Sequence, residues 1–131
     1  MFELIPYVLG SVSSLLLHEA GHLLAALAFG VKVRKVGITL HGPYIVREPG
    51  PAIANAIISA AGPGVNLAVA VFVWHSWPML GIINLVLGIA NLVPTPSSDG
   101  RRAWRAFMQA RAESVIRTGV QTQRASSAYS D

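Results

Sequence analysis

The 131-residue sequence contains no cysteine. Disulfides and thiolate metal ligands are therefore excluded, and the redox compartment is left open. Charge is also scarce. Asp, Glu, Lys and Arg make up 12% of the chain, against about 25% in soluble domains. No lysine or arginine falls in residues 1–31 or 48–100. Apolar residues fill those stretches, with 53% hydrophobic residues overall and a mean hydropathy of +0.52. This is the composition of a membrane protein, and the length suits one domain. A net charge of +4 could suggest nucleic acid, but its distribution argues against such a partner. The basic residues form two groups, Lys32, Arg34, Lys35 and Arg47 in one and six arginines from Arg101 onward in the other.

That grouping reads as topology. Apolar segments cover residues 4–30, 52–75 and 77–96, each near the ~20 residues that cross ~30 Å of hydrocarbon. Three spans place the 31–51 loop and the C-terminal tail on one side. Both are basic, so the positive-inside rule assigns that side to the cytoplasm. The N-terminus and the turn at Trp77-Pro78 then face outward. The first segment lacks a basic leader, and its apolar stretch is too long for a signal peptide.

Within 31–47 the period changes. Val31, Val33, Val36, Ile38 and Leu40 roughly alternate with polar partners, which predicts short strands, and Gly42-Pro43 predicts a hairpin turn. Gly62-Pro63-Gly64 is expected to loosen or kink the second helix. Pro94 and Pro96 predict unwound backbone after the third. Trp104, Phe107, Met108, Ala112 and Val115 fall at helical spacing, with Arg101, Arg105 and Arg111 able to snorkel. This predicts a tail helix, lying along the membrane interface or packed as a cap. Residues 118–131 show no apolar period and are expected to be disordered. The expected architecture is an all-α membrane protein with a three-transmembrane-helix core, a small β-hairpin between helices 1 and 2, and a C-terminal cytoplasmic helix. Residues 1–117 form the core with its interfacial tail helix, and 118–131 a disordered tail.

The chemistry is concentrated in His18-Glu19-Ala20-Gly21-His22. On a helix the two histidines lie at i and i+4, so both imidazoles leave one face and can bind one zinc ion. Glu19 beside them can act as general base. A shuffled chain of this composition shows the motif with a probability of about 0.4%, and ionisable residues in an apolar span are costly without a task. A catalytic zinc takes a third protein ligand and a water. The candidates are Asp99, His41, His75 and Glu48, with Asp99 the best placed. His75 falls at the opposite membrane face, and His41 and Glu48 lie in the loop. His18 is roughly 16 Å below the end of its helix, so either Asp99 dips inward, which the preceding prolines permit, or the first helix ends earlier. Asn66 and Asn91 are isolated amides in apolar spans, readable as interhelical hydrogen-bonding groups or as groups facing the site.

His18-Glu19-Ala20-Gly21-His22 in the first helix, Ala61-Gly62-Pro63-Gly64-Val65-Asn66 in the second, and Asn91-Leu92-Val93-Pro94-Thr95-Pro96 leading to Asp99-Gly100 after the third resemble the site-2 protease family over about residues 10–105. Members are intramembrane zinc metalloproteases. The resemblance implies one zinc ion held by His18, His22 and Asp99, Glu19 activating its water, and Asn66 near the site to orient substrate or an oxyanion. It implies zinc-dependent endopeptidase activity on transmembrane helices of membrane-tethered substrates. Ser98 departs from the apolar residue usual before Asp-Gly, and Arg101 stands where a second glycine is common. Relatives often carry gating helices or PDZ or CBS domains. The three spans leave no room for these, so a homo-oligomer or accessory subunit is an expected partner, along with substrate and bilayer.

A substrate helix hides its carbonyls in hydrogen bonds and must unwind before attack. An exposed strand edge at Val36 and Ile38 could pair with the unwound segment, or the hairpin could be a plain connection. The alternatives to an active protease are a catalytically inactive zinc-binding scaffold or sensor in the membrane and a small soluble zinc hydrolase.

Overall fold

The computed structural model describes residues 4–40 and 42–128. The order of elements is α1 (Ile5–Ala28), β1 (Val33–Thr39), β2 (Gly42–Arg47), α2 (Ala52–Val73), α3 (Pro78–Leu92) and α4 (Asp99–Ala128). Helix α2 is central and touches α1, α3 and α4. Pro6 and Pro78 each open a helix, where a missing N–H costs nothing.

Residues 33–39 and 42–47 form an antiparallel hairpin, with Val36 opposite Ile45 and Ile38 opposite Pro43. Gly42-Pro43 therefore starts β2 instead of making the turn. Val33 pairs with Arg47 and Lys35 with Val46, so the register shifts between them. A small apolar cluster of Ala26, Val31, Ala54 and Ile58 ties the hairpin end of α1 to α2.

The interior is small or polar and the exterior is apolar. Ser14, His18, Ser59, Asn66, Asn84, Ser98 and Asp99 are buried, whereas Leu16, Leu24, Val71, Phe72 and Val86 are exposed. Membrane helices pack in this way, because lipid solvates apolar side chains while small residues allow close approach. Two helices, Ile5–Ala28 and Ala52–Val73, are long and apolar enough to cross a membrane. The third apolar helix is shorter than its predicted segment, with 15 residues, or about 22 Å.

At three places the structure adds detail to the sequence reading. Helix α2 runs unbroken through Pro63. Its ring takes the place of one backbone donor, and burial between neighbouring helices holds the rest of the ladder. Helix α4 continues to Ala128, beyond residue 118, because Gln, Arg and Ala are good helix formers and no proline interrupts them. Residues 129–131 lie outside the described residues. Finally, α4 meets α2 through its half-buried alanines Ala103, Ala106 and Ala110, leaving the stripe of Trp104, Phe107, Met108 and Val115 exposed.

Candidate metal centre

His18 and His22 leave α1 on the same side, their rings edge to face with centroids 4.8 Å apart. Asp99 reaches them from the first turn of α4. Its Oδ2 is 3.0 Å from His18 Nε2 and 3.2 Å from His22 Nε2, and the two Nε2 atoms are 3.1 Å apart. Among the described residues this is the one group of three or more acidic or imidazole side chains spaced for a metal ion.

The opposite sides of the rings decide what can sit between these atoms. His18 Nδ1 is 3.0 Å from Asn66 Oδ1, and His22 Nδ1 is 2.7 Å from the Ile58 carbonyl. Both partners are acceptors, so each Nδ1 carries a hydrogen and each neutral imidazole turns the lone pair of Nε2 inward. Two nitrogen lone pairs and a carboxylate oxygen thus converge, and only a positive charge, proton or metal, can hold them together. Tetrahedral ligands roughly 2.0–2.1 Å from zinc lie about 3.3 Å from one another. The observed triangle is within a few tenths of an ångström of that spacing, so the donor set fits zinc.

Each ligand is anchored from behind. Asn66 is fully buried and donates from Nδ2 to the Ser14 carbonyl (3.3 Å) and to Asn84 Oδ1 (3.1 Å). Asn84 donates in turn to Ser14 Oγ (2.9 Å) and the Leu80 carbonyl (2.9 Å), and Ser14 Oγ donates to the Gly10 carbonyl (2.7 Å). Helices α1, α2 and α3 thus share one polar network that ends on His18. Gly62 serves His22, since a Cβ there would collide with its imidazole.

Asp99 owes its position to three features. Helix α3 ends early, at Leu92, so the chain turns back at the depth of His18. Ser98 caps α4, its Oγ accepting the Arg101 N–H at 3.3 Å, which explains a polar residue at this position. Gly100 lies so close to the Leu92 carbonyl that any Cβ would overlap it. Arg102 Nη1 stands 3.6 Å from the other carboxylate oxygen, Oδ1.

A cavity of about 700 Å³ opens beside the three ligands. Glu19 lines it, with its carboxylate outside the ligand set. The hairpin contributes Pro43, Tyr44, Ile45 and Arg47, all from β2. Val36 and Ile38 are exposed on β1 and do not line it, so the strand beside the cavity is β2. Asn66 does not line it either and lies behind His18, with both amide donations already made. Asn91 does border the cavity, its Nδ2 donating to the Leu87 carbonyl at 3.0 Å. Glu48 is ion-paired with Arg34 at 2.7 Å. His75 lies at the other end of α2, and His41 lies outside the described residues.

Sequence reasoning missed Ser14, Asn84, Arg47 and Arg102. Ser14 stands four residues before His18, on the helix face that carries His18 and His22. Asn84 is a lone amide in an apolar helix, the same signal that singled out Asn66. The two arginines carried no local signal beyond their charge.

Comparison with known proteins bears out the resemblance. The chain is 35% identical over 127 residues to a Synechocystis protein, covering 79% of this chain and 33% of the relative. It is 31% identical over 133 residues to a Mycobacterium tuberculosis protein (87% and 34%) and 30% identical over 108 residues to one from Methanocaldococcus jannaschii (72% and 32%). All three bear the name zinc metalloprotease, the first two provisionally. The chain spans about a third of the length of these curated relatives. No family model matches it, and no solved structure does.

Proposed function

We propose, on the premise that the chain belongs to the site-2 protease family, that it is a zinc-dependent endopeptidase cutting peptide bonds in or near transmembrane helices of membrane-tethered substrates. The observation that carries this reading is the convergence of His18 Nε2, His22 Nε2 and Asp99 Oδ2 on one point, with Glu19 on the wall of the adjoining cavity. When bound by these three residues, zinc supplies Lewis acidity for the scissile carbonyl and makes water acidic near neutral pH.

The chain's own residues do the rest. Glu19 accepts one proton of the attacking water and returns it to the leaving nitrogen, giving an amine and a carboxylic acid, and the acid's remaining proton passes to the amine or to water. Asn66 and the Ile58 carbonyl hold the two imidazoles in the tautomer that faces the metal. Asp99 contributes negative charge that partly offsets the cation, and Arg102 steadies its second oxygen.

We read α1, α2 and α3 as three spans of a multi-pass protein. The short α3 is completed by the irregular segment 93–98, which is tolerated at membrane depth where it borders protein or a cavity. The basic hairpin and α4 then lie on the cytoplasmic side. The substrate meets β2. Pro43 has no N–H, so its pairing with Ile38 is of the non-hydrogen-bonded kind. By alternation Ile45 is too, and its N–H and carbonyl point to the free edge. An unwound substrate segment could pair there.

The test is co-expression with single-span membrane proteins, comparing wild type with Glu19→Gln. Wild type should release fragments, and Glu19→Gln should lower the rate by about 10²–10⁴-fold while keeping its zinc. Cleavage at the wild-type rate by Glu19→Gln would remove Glu19 as the base. No zinc-dependent cleavage by wild type would favour a catalytically inactive zinc-binding scaffold or sensor.

A further inference from the structure

Ten basic residues are present in the chain, and two of them, Arg47 and Arg102, line the cavity beside the metal ligands. Arg102 is largely exposed, whereas the half-buried Arg47 is held differently from a solvated surface arginine. Arg47 Nη1 donates to Asn55 Oδ1 at 2.6 Å and to the Glu48 carbonyl at 3.4 Å. Asn55 is itself fixed, accepting the Gly50 N–H at 3.2 Å and donating to the Gly50 carbonyl at 2.6 Å. Both acceptors of Arg47 are neutral. The nearby Glu48 carboxylate is taken by Arg34 at 2.7 Å, and among the described residues no carboxylate forms an ion pair with Arg47. Burial and the like charge of Arg102 both push the Arg47 pKa down. The fold therefore holds one half-buried guanidinium, Arg47, braced by an asparagine at the cavity wall, with the exposed guanidinium of Arg102 nearby.

The charge count identifies the missing partner. The cavity carries two carboxylates, Glu19 and Asp99, and two guanidiniums. Arg102 is largely exposed and stands 3.6 Å from Asp99 Oδ1, so with a divalent cation on the three candidate ligands the guanidinium left without an acidic partner is that of Arg47. A cation shielded from water is costly unless paired. Guanidinium pairs best with a carboxylate, through two parallel hydrogen bonds. Because this cavity is also the one that must admit the scissile peptide, the anion most simply arrives with the substrate.

We propose that Arg47, with Arg102 beside it, forms a carboxylate-binding subsite that selects substrates carrying an acidic group close to the scissile bond. The inference rests on the peptidase reading. A space of about 700 Å³ admits two or three residues of extended chain at roughly 3.3 Å each. The acidic group therefore lies within about three residues of the cut. It is either an Asp or Glu side chain or a free C-terminal carboxylate.

The test uses the purified full chain loaded with zinc and a set of otherwise identical membrane-segment peptides. Glu or Gln is placed at each of the three positions on either side of the cut, and one further pair ends in a free or an amidated C-terminus. In one of these pairs the carboxylate form should be cleaved with a kcat/KM about ten-fold or more above its amide. That pair tells a side chain from a chain end. Arg47→Gln should bring the ratio close to one with zinc content unchanged, Arg47→Lys should keep part of it, and Arg47→Glu should favour Lys at the same position. Fluorescence anisotropy of the same peptides on Glu19→Gln protein reads the subsite without turnover and should show the same preference, lost in the Arg47→Gln double variant. Cleavage without any carboxylate preference, or a ratio unmoved by Arg47→Gln, overturns the subsite while leaving the peptidase intact. Absence of cleavage by zinc-loaded wild type, with the anisotropy preference present, overturns the peptidase and leaves the subsite. A rate that follows the anionic lipid content of the vesicles and not the peptide's carboxylate would assign the arginines to a lipid headgroup and overturn the proposal.

Discussion

Two of the cavities between the helices differ in kind. One, of about 900 Å³, lies where α1 and α3 begin and is walled by Pro6, Tyr7, Leu9, Trp77, Met79 and Ile83 among others. The other, of about 700 Å³, lies past the middle of α1 and holds His18, Glu19, His22, Arg47, Asp99 and Arg102. The larger has no carboxylate or imidazole on its walls, so it offers shape and apolar surface and no means of moving a proton or holding a cation. The smaller has both. Volume alone would choose the wrong end of the molecule. What marks a site in an apolar chain is polar groups that are buried, mutually satisfied from behind, and aimed at one point in front.

The strongest test of that contrast removes one group from each end. Asp99→Ala should deplete bound zinc by well over the ~100-fold expected for loss of a supporting residue and abolish activity, whereas His75→Ala should retain full zinc. Atomic emission on the purified variants decides it. Full zinc in Asp99→Ala with depletion in His75→Ala would place the metal at the wrong end for this structure. A smaller effect is expected from Asn66→Ala, which frees the His18 tautomer. Zinc affinity should fall by about 10–100-fold, read by competition with a chromophoric chelator. An unchanged affinity with impaired cleavage would return Asn66 to a role in contacting substrate. The smallest effect belongs to the hairpin wall. Ile45→Pro removes one outward donor, worth about 1 kcal/mol or roughly five-fold in cleavage, with zinc content constant. Equal loss of zinc and cleavage would point to a misfolded hairpin.

Much of this arrangement is legible in the sequence because its signals are local. The i, i+4 spacing of His18 and His22 fixes two ligands on one face, and the uninterrupted apolar runs give two helices long enough to span. Asp99 is also legible, as a lone acidic residue after paired prolines. Position in space was harder to read. Pro94 and Pro96 predict unwound backbone at the end of the third apolar run, but not that the helix stops at Leu92 and so brings Asp99 against His18. Asn66 stands out as a polar intruder, but nothing local tells whether its amide faces the cavity or the back of an imidazole. Val36 and Ile38 suit a strand equally well whichever strand meets the cavity. Which face of α4 packs was not legible for a related reason. In membrane proteins small residues, not large apolar ones, mark the contact, so Ala103, Ala106 and Ala110 outweigh Trp104 and Phe107.

Asp99 is both the candidate third ligand and the first residue of α4, and beyond Gly100 that helix is held to α2 largely by alanines. Ligand exchange at the metal and rocking of α4 on α2 are therefore one equilibrium seen from two ends. By reciprocity, whatever free energy the metal gains from a docked α4, the docking gains from the metal. Anything that pulls on the exposed Trp104–Phe107 face is felt at the metal as a weakened oxygen donor.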